Sequence, residues 1–145
     1  MRDFERRCSL KEVLIVEDEP ILLELFSTIL TVHGYQVRSF LSGKAALNSA
    51  RKKMPDVILL DIDLPDMSGY DVCSQLKTYD DTYDVPVIFC SSMDEDAAKT
   101  RAFAVGGSAD LTKPVLRDEL VACVQTQLNR SQIRRLPGKW AGTCP

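Results

Sequence analysis

The chain has 145 residues, 45% hydrophobic and 27% charged, with 18 basic against 21 acidic side chains and a net charge of −3. That length suits one domain with a full core, the acidic balance argues against direct nucleic-acid binding through a basic surface, and no apolar run approaches the ~20 residues of a membrane span. The 5 cysteines include no C-x-x-C pair and the chain has 1 histidine, so zinc-ligand spacing is absent. Cys73, Cys90 and Cys123 fall inside apolar patterns and read as small buried side chains, whereas Cys8 and Cys144 lie in the expected tails.

A charged leader, residues 1–11, has no signal-peptide core, and a cytoplasmic location is expected. Residues 12–16 read as a short buried strand that runs into Glu17-Asp18-Glu19-Pro20. Pro20 suits the first turn of a helix over residues 21–32, apolar at Leu22, Leu25, Phe26 and Ile29 and ended by Gly34. Residues 35–40 alternate as a strand does, and Ser42 is the expected N-cap of a second helix that closes in Arg51-Lys52-Lys53 before Pro55. Residues 57–61 form an apolar run without polar alternation, which predicts a strand buried on both faces, and it ends in Asp61. Ser68-Gly69 opens a third helix with Val72, Cys73 and Leu76. A polar loop at 79–84 leads to a fourth strand, 86–92, that ends in hydroxyls.

Asp94 is the expected cap of a fourth helix, residues 95–105, ended by Gly106-Gly107. Its apolar face consists mainly of alanines with Phe103 and Val105, so it is expected to be weakly held and able to shift. Residues 110–114 form a short fifth strand ending in a lysine, and 116–134 a fifth helix with Leu120, Val124 and Leu128 on one face. Residues 136–145 read as a tail or linker, which leaves 12–135 as the domain.

Five alternations of strand and helix imply a parallel sheet, because parallel strands need crossover connections. The expected fold is a doubly wound α/β sandwich with helices on both faces. Strand order 2-1-3-4-5 puts strands one and three side by side at the switch point, where ligands bind beyond the carboxyl ends of the strands. The two acidic strand ends then meet.

Glu17, Asp18 and Asp61 would share one cleft. Two carboxylates ~4 Å apart repel by about 4 kcal/mol at an effective dielectric of about 20, so three need a counter-charge. An open all-oxygen site suits Mg2+, which takes one or two carboxylates and keeps several waters. Lys113, from another strand end, would help keep a carboxylate ionised and neutralise phosphoryl oxygens, and Ser91 supplies a hydroxyl. A nucleophilic carboxylate, a metal site, a cation and a hydrogen-bond donor are the equipment for phosphoryl transfer to an aspartate. The plainer reading is that these acids only cap helix starts.

Glu17-Asp18, Asp61 with Leu64-Pro65-Asp66-Met67-Ser68-Gly69, the strand from Pro86 to Ser91, and Thr112-Lys113-Pro114 together resemble the receiver domain of two-component response regulators over nearly all of residues 12 to 135. The resemblance implies the CheY-like, flavodoxin-like fold, for which the 2-1-3-4-5 order is already known. It also implies that Asp61 accepts phosphate from a histidine of a sensor kinase or phosphotransfer protein, with Lys113 and Ser91 in attendance. Asp18 would be the direct magnesium ligand, Glu17 would act mainly through water, and Asp63 would lend its backbone carbonyl. A cis Lys113-Pro114 bond belongs to the same pattern. By resemblance, the domain catalyses only its own phosphorylation and slow dephosphorylation, and contacts an output domain or a second copy through the face of the fourth helix, fifth strand and fifth helix.

Receivers commonly carry Tyr or Phe three residues before the lysine, and here that residue is Asp110; Val115 stands where Phe often follows the proline. A carboxylate entering an apolar pocket would cost several kcal/mol, so Asp110 is expected to stay in water while Ser91 and the fourth helix carry any switch. Asp63 and Met93 occupy the positions that influence phosphate hydrolysis in the family. Two other readings compete: a pseudo-receiver that binds without switching, motivated by Asp110, and a haloacid-dehalogenase-type phosphatase, motivated by Asp61-Ile62-Asp63. Against the phosphatase, Pro65 replaces Thr or Val, no Asp pair follows the fourth strand, and Glu17-Asp18 has no role. No DNA-binding, cyclase or kinase segment is read in the sequence, so both a stand-alone receiver and a piece of a longer regulator or hybrid kinase fit it.

Overall fold

A computed structural model describes residues 10–92 and 96–134. Among these, five strands alternate with five helices: β1 (Glu12–Val16), α1 (Pro20–Val32), β2 (Gln36–Phe40), α2 (Gly43–Lys52), β3 (Val57–Asp61), α3 (Gly69–Leu76), β4 (Val87–Ser91), α4 (Asp96–Ala104), β5 (Ala109–Thr112) and α5 (Arg117–Arg134). Every strand pair is parallel and the order is β2-β1-β3-β4-β5, as expected.

Period-two alternation along the strands divides the core in two. Leu14, Val16, Ile58, Leu60, Val87 and Phe89 face α2 and α3, meeting Ala46, Leu47, Val72, Cys73 and Leu76. Their neighbours Val13, Ile15, Val57, Leu59, Ile88 and Cys90 face α1 and α5, meeting Phe26, Leu30, Leu120, Val124 and Leu128. Because both faces are covered, β1, β3 and β4 are buried throughout, while β2 and β5 form the edges.

Helix starts follow local chemistry. Pro20 occupies the first turn of α1, Ser42 Oγ accepts from Ala45 N at α2, and Ser68 Oγ accepts from Tyr70 N at α3. Gly34, at φ +93°, adopts the left-handed turn after α1. The Asp94 cap, Met93, Cys8, Cys144 and the tail at 136–145 lie outside the described residues, as does the leader up to residue 9.

Two side chains depart from the periodic reading. Leu25 is 50% exposed and Leu30 takes the buried place on α1. On α4, Phe103 is 56% exposed, because the helix turns its neighbour Ala102 into the core instead. Tyr35 and Pro86 lie just outside their strands, and the fifth strand runs from Ala109 to Thr112, so Lys113 stands beyond its end. The Lys113-Pro114 peptide is cis.

Candidate active site

Register alone brings the acidic strand ends together. Val16 on β1 pairs with Leu60 on β3, so Glu17 emerges beside Asp61. On the other flank, Asp61 pairs with Cys90 and Ser91 pairs with Thr112, which places Ser91 and Lys113 at the same rim. One oxygen each from Glu17, Asp18 and Asp61 lies within 4.8 Å of the others. Lys113 Nζ stands 2.9 Å from Glu17 Oε1 and 3.4 Å from Asp61 Oδ1. Glu17, Asp61 and Ser91 are buried and Asp18 is exposed, so the site has a deep floor and one carboxylate at its mouth.

The charges are incompletely balanced. Burial, then the nearby Glu17 charge, push the Asp61 carboxyl up to about 7, against the opposing pull of Lys113. For Lys113, burial works downward, but the hydrogen bond to Glu17 and the charges of Asp61 and Glu17 outweigh it and raise its pKa. One ammonium therefore does not compensate these carboxylates. An all-oxygen donor set with an uncompensated negative charge, open at Asp18, fits a hard divalent cation such as Mg2+.

Behind Asp61 the β3–α3 loop folds back tightly. Gly69 N donates to Ile62 O at 2.7 Å, Asp63 and Ser68 form an antiparallel bridge, and Asp63 N reaches Asp61 Oδ1 at 3.4 Å. A Cβ on Gly69 would overlap the Asp61 carbonyl oxygen, so the close approach requires glycine. The Asp63 side chain is exposed, and only its backbone is brought toward Asp61.

Asp110 sits half-buried on β5, paired with Phe89, and not fully in water as expected. Its carboxylate is close enough to Cys123 to add to the rise that burial produces there, to about 11. Cys123 is itself only partly buried.

Two residues next to the site, Asp66 of the loop motif and Tyr70, make contacts that the motif does not report. Asp66 accepts from the backbone of Gly43 and Lys44 across the loop, and Tyr70, immediately after Gly69, packs its ring 5.4 Å from that of Phe89. Asp66 finds its partners 23 and 22 residues away, which no local pattern reports.

The sequence model of the response regulator receiver domain matches residues 13–125. The transcriptional regulatory protein KdpE of Mycobacterium tuberculosis is 38% identical over 119 residues, 82% of this chain and 51% of that protein. The phosphate regulon transcriptional regulatory protein PhoB of Rhizobium meliloti is 31% identical over 123 residues, 85% of this chain and 54% of that one. The chain thus spans about half the length of these regulators. Among solved structures, a putative response regulator from Chloroflexus aurantiacus superposes with a TM-score of 0.81 at 31% identity, covering 84% of this chain and 100% of the other. The receiver domain of a sensor histidine kinase from Pseudomonas aeruginosa, solved with magnesium coordinated in its active-site cleft, gives 0.78 at 27% identity, covering 83% and 99%.

Proposed function

We propose, since the chain belongs to the response regulator receiver family, that Asp61 accepts a phosphoryl group from a histidine of a sensor kinase or histidine phosphotransfer protein. The observation that carries this is the convergence of Glu17, Asp18 and Asp61 within 4.8 Å, with Lys113 Nζ 3.4 Å from Asp61 Oδ1. An Asp61 carboxylate oxygen attacks phosphorus, and the bond from phosphorus to the imidazole nitrogen breaks with its electron pair leaving on the imidazole. The product is an acyl phosphate. Lys113 favours the ionised form of Asp61 against burial and Glu17, and meets the incoming phosphoryl oxygens, while the Ser91 hydroxyl donates to one of them. Glu17 anchors the Lys113 ammonium at 2.9 Å.

Mg2+ would be held by Asp18, Asp61 and the Asp63 carbonyl, with Glu17 acting through water, and would supply the positive charge that the site lacks. Magnesium at the homologous cleft of the Pseudomonas aeruginosa receiver supports this assignment. The domain acts on itself, gaining and slowly losing one phosphate, and signals by protein contact through the face of α4, β5 and α5 to an output domain or a second copy. No helix among the described residues is long and apolar enough to cross a membrane, and we place the protein in the cytoplasm, where its phosphodonors would be.

Intact mass after incubation with Mg2+ and acetyl phosphate tests the proposal. One phosphate adduct is expected, absent when the metal is chelated and absent in Asp61→Asn. A folded protein that takes up no phosphate under any condition would overturn the assignment.

A further inference from the structure

The loop of residues 62–68 is fastened in two places. At its base, Gly69 N donates to Ile62 O and Asp63 bridges Ser68. At its tip, Asp66 reaches away from the loop: Oδ1 accepts from Gly43 N at 2.9 Å and Oδ2 from Lys44 N at 2.9 Å. These are the first two amides of α2, donors with no partner inside the helix. The Met67 side chain lies against the same place, since a Cβ on Gly43 would come within 2.7 Å of Met67 Cγ.

Helix α2 already has a local cap, because Ser42 Oγ accepts from Ala45 N at 3.3 Å. Asp66 therefore adds a second cap from outside the helix, and its two parallel bonds to adjacent amides fix the orientation as well as the distance of the loop tip. Both carboxylate oxygens are engaged, so Asp66 is committed to α2 although it borders the same groove as Asp18 and Asp63.

We propose that Asp66 is a positioning residue for the metal site: by clamping the loop tip to the start of α2, it holds the Asp63 backbone at the distance from Asp61 and Asp18 that the cation requires. The inference rests on the receiver reading given above. It separates Asp66 from ordinary helix capping, because the quantity it governs is the geometry of the loop rather than the stability of α2.

The experiment compares wild type, Asp66→Ala, Asp66→Asn and Ser42→Ala by calorimetric Mg2+ titration and by amide exchange of residues 62–69 in metal-free protein. Ser42→Ala removes the local cap of the same helix and leaves the loop contacts in place. Asp66→Ala should weaken Mg2+ binding about tenfold, the low end of what outer supporting groups contribute, and should speed exchange in the loop. Asp66→Asn, which keeps a side-chain acceptor, should recover part of both. Ser42→Ala should lower the melting temperature and change neither. Equal Mg2+ affinity in wild type and Asp66→Ala, or an equal loss in Ser42→Ala, would overturn the clamp. A wild type that binds no Mg2+ would remove the receiver reading, and this inference with it.

Discussion

The centre of the sheet and its β5 edge repeat the same strand–helix unit and hold it by different means. Every residue of β1, β3 and β4 is buried between two helical layers, whereas all four residues of β5 are only partly covered. Against that edge, the buried apolar contribution of α4 among its described side chains is Ala102. The carboxylates of the site stand on the first region and the proposed signalling face on the second. Local stability follows buried contact, so the region proposed for the chemistry is the fixed floor and the face proposed for the response is the part of the fold that opens most easily.

The largest expected contrast uses one residue type in both regions. Phe89 is fully buried on β4, against the Tyr70 ring, and Phe103 is 56% exposed on α4. Phe89→Ala should cost about 3–5 kcal/mol, and Phe103→Ala should stay within about 0.5 kcal/mol. Denaturant unfolding measures both; comparable losses would erase the distinction between floor and edge.

A smaller effect sharpens the comparison inside the centre, where rigidity is kept despite an unfavourable charge. The Asp61 pKa is raised to about 7 in the folded state, so between about pH 4 and pH 7 the folded protein binds more protons than the unfolded chain. Through this group, stability falls as pH rises across that window, by at most about 4 kcal/mol. Asp61→Asn should flatten this part of the profile and make the protein more stable than wild type near neutrality and above. Mg2+, which takes the ionised form, should restore wild-type stability at the alkaline end, and its affinity should drop as pH falls below about 7. A wild-type midpoint that rises over the same window without metal, with the mutant unchanged, would contradict this. Asp66 has the opposite sign: hydrogen bonds from Lys44 and Gly43 lower its pKa, so its contribution is present at neutral pH and lost on acidification.

Much of this arrangement is legible in the sequence for a physical reason. Strands buried on both faces must be apolar at every position, so residues 13–16, 57–60 and 87–90 announce themselves, and the polar residues that follow, Glu17, Asp61 and Ser91, mark where the core ends. The same property makes Glu17, Asp61 and Ser91 recognisable as a set once the strand order is given, whereas Lys113 follows the half-covered edge strand and is marked by its own Thr112-Lys113-Pro114 motif. Hidden are contacts whose partners are distant along the chain. Arg38 joins β2 to Glu12 at 2.9 Å and to Ser49 Oγ at 2.6 Å, and Asp66 joins a loop to α2; neither side chain differs in type from an ordinary surface charge. Phe103 misled for the converse reason: apolar character on a helix at the sheet edge does not say which side of the helix is covered.

The smallest effect bears on what fastens the edge. The Arg101 guanidinium lies 4.4 Å from the centre of the Tyr70 ring, tying α4 to the start of α3, directly beyond the glycine that packs on Asp61. Cys73 Sγ donates to Val105 O at 3.3 Å and makes a second tie just past the end of α4. A cation over an aromatic face is worth about 0.5–1 kcal/mol at an exposed site. Arg101→Ala should therefore speed amide exchange in residues 100–104 about twofold to fivefold and leave β1 and β3 unchanged. Tyr70→Phe, which keeps the ring face, should preserve protection, whereas Tyr70→Leu should lose it. Arg51 on α2, 3.9 Å from the ring of Tyr79 in the loop after α3, is the matching control, since its removal should leave α4 protection as it was. If Arg101→Ala changed nothing, or loosened the centre equally, α4 would be fastened by backbone and alanine contacts and the Cys73 tie alone.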